Sequence, residues 1–148
     1  MDYQLKKVSC SDVRLFQDLL SLWQLEDGIN NAVLPGQDYL LQLLSKDTFH
    51  LIVALSENTV IGGLTAFEIP TYFKEGTEMF LYEIGVDKKY RQKGIATAMI
   101  QMLIEICKER AIQELYVGTE VENLAAQKLY SSTGGKKEDV VWFTYRIK

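Results

Sequence analysis

Residues 91–97, RQKGIAT, set two cations and an amide side chain directly before Gly94 and a run of small and apolar residues. A helix that opens there leaves its first N–H groups without intrahelical partners and turns the positive end of its dipole toward the same point. Gly94 and Ala96 keep the backbone open to close approach, while Arg91 and Lys93 add charge. The segment Arg91, Gln92, Lys93, Gly94, Ile95, Ala96 and Thr97 therefore reads as an anion site, with phosphate the usual guest. It matches neither of the common nucleotide-binding glycine signatures. Elsewhere the chemical inventory is narrow. His50 is the only histidine, and Cys10 and Cys107 are the only cysteines. A histidine metal site, a Ser-His-Asp triad or a disulfide framework has little material here, so no metal is expected and both thiols are read as reduced and structural. Chemistry must fall to carboxylates, tyrosines and backbone groups.

The elements that position these groups can be read from periodicity. The stretch EMFLYEIGV, residues 78–86, is an apolar strand, and its Gly85 marks either a bulge or a place where a ligand nears the backbone. Behind the anion loop, Ile95, Met99, Met102, Leu103 and Ile106 form the buried stripe of a helix reaching Glu109 or Arg110. Ser11 can cap an amphipathic helix in which Phe16, Leu19, Leu20 and Trp23 recur at helical spacing, ending near Gly28. DYLLQLLSK is a shorter helix, and TFHLIVAL and VIGGLTAFEI flank the turn-like SENT as a hairpin. ELYVGTE is a short strand, ENLAAQKLYSS a helix ended by Gly134 and Gly135, and VVWFTYRI a closing strand. The order of strands and helices predicts a mixed sheet flanked by helices.

The chain has 148 residues, 47% of them hydrophobic and 24% charged, which suits one soluble domain spanning 1–148. It has no apolar run of the roughly 20 residues that cross a bilayer, and the start MDYQLKKVS lacks a signal-peptide core, so a cytoplasmic protein without membrane contact is expected. A net charge of -4 argues against nucleic acid as a partner and is compatible with a cationic substrate.

Two motifs in order and spacing carry a resemblance. Arg91, Gly94 and Ala96 match Arg/Gln-x-x-Gly-x-Gly/Ala, and Asn123, Ala126, Leu129 and Tyr130 match Asn-x-x-Ala-x-x-Leu-Tyr. Over residues 48–145 the chain resembles the GNAT superfamily of acetyl-CoA-dependent N-acetyltransferases. The resemblance implies an α/β (α+β) fold with a mixed, mostly antiparallel central sheet, helices on both faces, and a splayed, bulged strand at the acetyl-CoA site. It implies acetyl-CoA as cofactor, with the pyrophosphate over residues 91–97 and with Asn123 and Tyr130 also at the cofactor. A bulge at Gly85 would free backbone groups of Ile84 and Val86 for the pantetheine arm, and the Val86 N–H could stabilise the oxyanion. Tyr130 is then the candidate general acid for the departing thiolate. Glu83 is the candidate base, with Glu120 and Glu122 as alternatives acting through water.

Within the superfamily, DYLLQLLSKDTFHLIVAL, FLYEIGVDKKYRQKGIATAMIQML and ELYVGTE are most similar to type I aminoglycoside 3-N-acetyltransferases. The chain departs from that group at NLAA, where the resistance enzymes carry an acidic Asp-Asp-Pro-Ala. The resemblance implies direct acetyl transfer, in a ternary complex, to a primary amine of a small cationic acceptor such as an aminoglycoside. Glu83, Glu120, Glu122, Glu26 and Asp27 are the carboxylates available to hold it. A polyamine, another small amine, a protein amino group, or a non-catalytic acyl-CoA sensor are the alternatives. The oligomeric state stays open, a homodimer among the options.

Overall fold

The computed structural model describes residues 2–29 and 33–148. By contact it divides into two compact units, Met1–Gly118 and Thr119–Lys148.

The first unit is built on five strands: β1 (Gln4–Lys7), β2 (Phe49–Ser56), β3 (Thr59–Pro70), β4 (Thr77–Val86) and β5 (Leu115–Tyr116). They lie side by side in that order, antiparallel except for the parallel pair β4–β5. A parallel pair needs a crossover, and α3 (Ile95–Glu109) supplies it. The β2–β3 hairpin closes through Glu57 and Asn58, both at positive φ, the conformation a two-residue turn needs to match strand twist.

The helix α1 (Val13–Glu26) buries Phe16, Leu19 and Trp23, three of the four residues whose spacing predicts its inner face. With Leu40 of α2 (Gln37–Leu44) they pack on Phe49, Leu51 and Val53 of β2. Alternation along β2 sends Ile52 and Ala54 to the opposite face, where α3 buries Ile95, Met99, Leu103, Ile106 and Cys107. The sheet is thus covered by helices on both faces, and each element's apolar period matches the surface it meets.

His50 lies on this second face and is buried, with Nε2 3.0 Å from Oε1 of Glu68. Arg110, just past α3, donates to both oxygens of Glu68, and its Nη2 donates to Asp47 at 2.8 Å. Burial opposes charge on Glu68, but the hydrogen bonds from Arg110 and His50 outweigh it and hold the carboxyl below its ordinary value. Burial likewise lowers His50, against the pull of Glu68, so the ring is neutral at pH 7. The sole histidine is therefore a core residue. Arg110→Met would strand a buried carboxylate, and we expect it to cost about 3 kcal/mol of stability by urea unfolding. Because Glu68 is held low, its contribution is present above the ordinary glutamate pKa of about 4.3 and is lost as pH falls below that. A variant as stable as the parent would mean that the network adds nothing.

The second unit holds α4 (Leu124–Ser132). Asn123 caps it, its Oδ1 accepting from the Ala126 N–H at 3.0 Å. The paired bonds Gly135 N–H to Tyr130 C=O and Gly134 N–H to Ser131 C=O end it, as the two glycines predict. The closing strand expected over VVWFTYRI is not formed: residues 136–148 lie outside any helix or strand. Alternating β-formers favour a strand by propensity, but a strand forms only through pairing with a neighbour, which the local pattern does not supply.

Candidate active site

The anion loop is built as its sequence predicts. Asp87 caps a short 3-10 turn, Lys88–Tyr90, by accepting from the Lys89 N–H at 3.0 Å. Gln92 and Gly94 both have positive φ, at 59° and 81°. Gly94 is the N-cap of α3 with no side-chain cap, and the first turn carries no acidic residue, so the amides of Ile95, Ala96 and Thr97 have no partner in the helix. A Cβ built on Gly94 would meet nothing within 4 Å, so no protein atom crowds the backbone at that residue. Gln92, Lys93 and Gly94 are exposed, while Ile95 is buried and anchors the turn.

Arg91 is held from two sides. Its Nε donates to the Val86 carbonyl at 2.9 Å and its Nη2 to Glu26 Oε2 at 3.2 Å. Glu26 also accepts from the Lys88 N–H at 3.3 Å. Glu26, expected among the acceptor-binding carboxylates, is thus engaged with the anion loop.

In β4 the bulge lies at Tyr82, where β3 moves from Ala66 opposite Leu81 to Thr65 opposite Glu83, and not at Gly85. Gly85 sits in regular register across from Gly63. Its side is filled instead by Trp23 of α1, whose Nε1 donates to the Gly85 carbonyl at 3.4 Å and would lie 2.7 Å from a Cβ there. The glycine answers a packing demand. Ile84 and Val86 are nevertheless placed as the resemblance implies. Asp87 N–H donates to Ile61 of β3, so by alternation the N–H groups of Val86 and Ile84 face the other edge. On that edge β5 pairs only at Met79–Leu115 and Phe80–Tyr116, so the two strands part beyond Phe80.

The bulge sets Tyr82 and Glu83 on one face. Tyr82 packs edge-on to Phe67 and Phe80, and Glu83 stands opposite Thr65. Burial, with a smaller push from Asp27, raises the Glu83 carboxyl above its ordinary value. A raised carboxyl is better matched to taking a proton near neutral pH. Asp27 itself is the C-cap of α1. Phe80 stacks on Tyr116 with centroids 5.3 Å apart and a 20° interplanar angle. Sequence reasoning passed over these aromatics, although Phe80-x-Tyr82 alternates with the buried Met79 and Leu81 and signals a ringed outer face.

In the second unit, Tyr130 lies on α4 and is half-buried, and burial raises its phenol further above neutrality. Glu120 and Glu122 are exposed ahead of α4, their carbonyls accepting from the Asn123 and Leu124 N–H groups.

Residues 16–134 match the family model described as the acetyltransferase (GNAT) family. The chain belongs to this family. GNAT enzymes are acyltransferases that use acetyl-CoA, and the five-stranded, mostly antiparallel sheet flanked by helices is the GNAT fold. An uncharacterized N-acetyltransferase of Bacillus subtilis is 31% identical over 114 residues, which cover 68% of this chain and 72% of that protein. Human N-acetyltransferase 8 is 29% identical over 91 residues, 62% of this chain but only 40% of the human protein's length. Among solved structures, an aminoglycoside acetyltransferase from an uncultured soil metagenomic sample, in complex with sisomicin, superposes with a TM-score of 0.93 at 26% identity over 99% of this chain and 97% of that one. A second soil aminoglycoside acetyltransferase reaches 0.93 at 29% identity over the whole of both chains. Among the described residues no helix of this GNAT chain is long and apolar enough to cross a membrane.

Proposed function

We propose that this domain moves the acetyl group of acetyl-CoA directly to a primary amine of a small cationic acceptor, with an aminoglycoside, at the 3-N position, as the first candidate. The observation that carries the reading is the open helix start at Gly94 placed directly after a strand whose outer edge is unpaired beyond Phe80. The likeness to the two soil aminoglycoside acetyltransferases supports the acceptor class.

In this reading the amides of Ile95, Ala96 and Thr97, with Gln92 and Lys93, hold the pyrophosphate. Arg91 fixes the loop from which they act. The outward N–H groups of Ile84 and Val86 bond the pantetheine arm as a neighbouring strand would, and Val86 N–H also meets the oxygen that gains charge during attack. Glu83 takes a proton from the acceptor ammonium, the freed nitrogen attacks the thioester carbon, and the C–S bond breaks. Tyr130, whose phenol burial raises further above neutrality, gives its proton to the thiolate, and the nitrogen, still carrying its second proton after attack, returns one to the phenolate to leave the neutral amide. Asn123 caps the helix that carries Tyr130, and Asp27, Glu120 and Glu122 supply further negative charge for the acceptor.

Thiol release from acetyl-CoA, followed with an aminoglycoside panel and a polyamine panel, tests the acceptor; turnover of neither overturns the reading. Glu83 can be tested alone. Since its carboxyl is raised, the parent's kcat/KM should climb as pH rises through that value. Glu83→Gln should lower it by about 100-fold near pH 7 and leave a remnant that keeps rising at alkaline pH, where the free amine accumulates in solution. An unchanged profile would pass the base role to Glu120 or Glu122.

A further inference from the structure

We infer that Tyr82 and Tyr116, with Phe80 between them, form a ring-recognising ledge that selects acceptors bearing a saturated amino-substituted ring over linear amines. This rests on the acetyl-transfer reading above and adds to it the residues that choose the acceptor.

The three side chains belong to one face of the sheet. Phe80 stands opposite Tyr116 across the β4–β5 pair, and Tyr82 lies 5.9 Å from Phe80, edge to face. Tyr82 is 64% exposed and Tyr116 41%, so a hydrophobic surface faces solvent beside Glu83. The bulge is the cause: without the extra residue, Tyr82 and Glu83 would point to opposite faces. A base and an aromatic ring are thereby brought side by side.

The surrounding charge is mainly negative, with Lys74 close to Glu78 and Glu114 but donating to Gln113. Alternation puts Glu78 on the face of Phe80 and Glu114 on the face of Tyr116, and both carboxylates act on the Tyr116 hydroxyl, whose pKa burial and these two charges raise. Among the described residues Glu78, Glu83 and Glu114 have no ion-pair partner. An occupant must therefore offer cationic groups at more than one point and apolar surface between them. A ring of C–H groups carrying ammonium substituents does both: its apolar face meets the tyrosines and its charges meet the carboxylates. A linear polyamine satisfies the charges alone and leaves the rings uncovered.

The test is calorimetry on the full chain with coenzyme A present, titrating sisomicin as the ring-bearing amine and spermidine as the linear one. Tyr82→Ser is expected to weaken sisomicin about tenfold and to leave spermidine within about twofold. Tyr82→Phe should keep sisomicin within about twofold, because the ring and not the hydroxyl makes the contact. Tyr116→Leu should follow Tyr82→Ser; if it fails to fold, the exposed Tyr82 pair decides. Equal weakening of both amines, no weakening, or no sisomicin binding to the parent protein would each overturn the ledge. A parent that binds sisomicin, loses it in Tyr82→Ser, yet releases no thiol would keep the ledge and overturn acetyl transfer.

Discussion

Tyr130→Phe is expected to lower the single-turnover rate of acetyl transfer by about 100 to 10,000-fold while acetyl-CoA still binds. The change removes one oxygen and keeps the ring, so the packing of a half-buried side chain on α4 survives. The helix keeps its Asn123 cap and the two bonds that close it after Ser132. Burial raises the phenol, so at neutral pH the parent carries the proton that a thiolate leaving group needs. Steady-state turnover would understate the loss if product release is slow, which is why a single turnover is the measurement to make. A parental rate in the variant would remove Tyr130 from the chemistry.

Gly94→Val is expected to raise the Kd for acetyl-CoA by about 100-fold, the loss of one or two charge-assisted hydrogen bonds at the helix start. The φ of 81° at Gly94 is one that a β-branched residue adopts with strain, costing on the order of 1–2 kcal/mol. Its Cβ would meet no protein atom, so the fold should tolerate it, and the added bulk would stand in open space at the start of the helix. Gly94→Ala separates the two effects, since it carries the strain with little of the bulk. Calorimetry on folded Gly94→Val showing parental affinity would detach the cofactor from this loop.

Local signals were legible wherever one residue type had one physical reason to be present. Gly94 before an apolar stripe and the double glycine after Thr133 each name a helix end, and each lies at one, whereas Ser11, expected to cap α1, lies in the 3-10 turn before it and Asp12 takes the N-cap position. Gly85 was read as a bulge or a ligand approach, and the residue that supplies its actual reason, Trp23, is 62 positions away. No local pattern can show that an indole fills the glycine's side of the strand. The bulge at Tyr82 was hidden for a similar reason, because register is a relation between two strands and is not written in either. VVWFTYRI shows the opposite failure, a pattern with full strand character in a stretch that forms no strand, because propensity is local and pairing is not. Glu26 was read by its charge alone, and its partner Arg91 could be found only in three dimensions.

That pairing of Glu26 with Arg91 makes the anion loop a site with a resident competitor. A negatively charged guest arriving there meets a guanidinium already half-neutralised by a carboxylate that is mostly shielded from water, 19% exposed. A weak, singly charged anion gains little by contesting that contact, because it offers no more than Glu26 already does. A guest with several charges and several acceptor oxygens can instead use the free amides of the helix start and leave Arg91 where it is. The loop is thus selective among anions before any base, ribose or pantetheine is read, and small inorganic anions should be poor rivals of a diphosphate at this position.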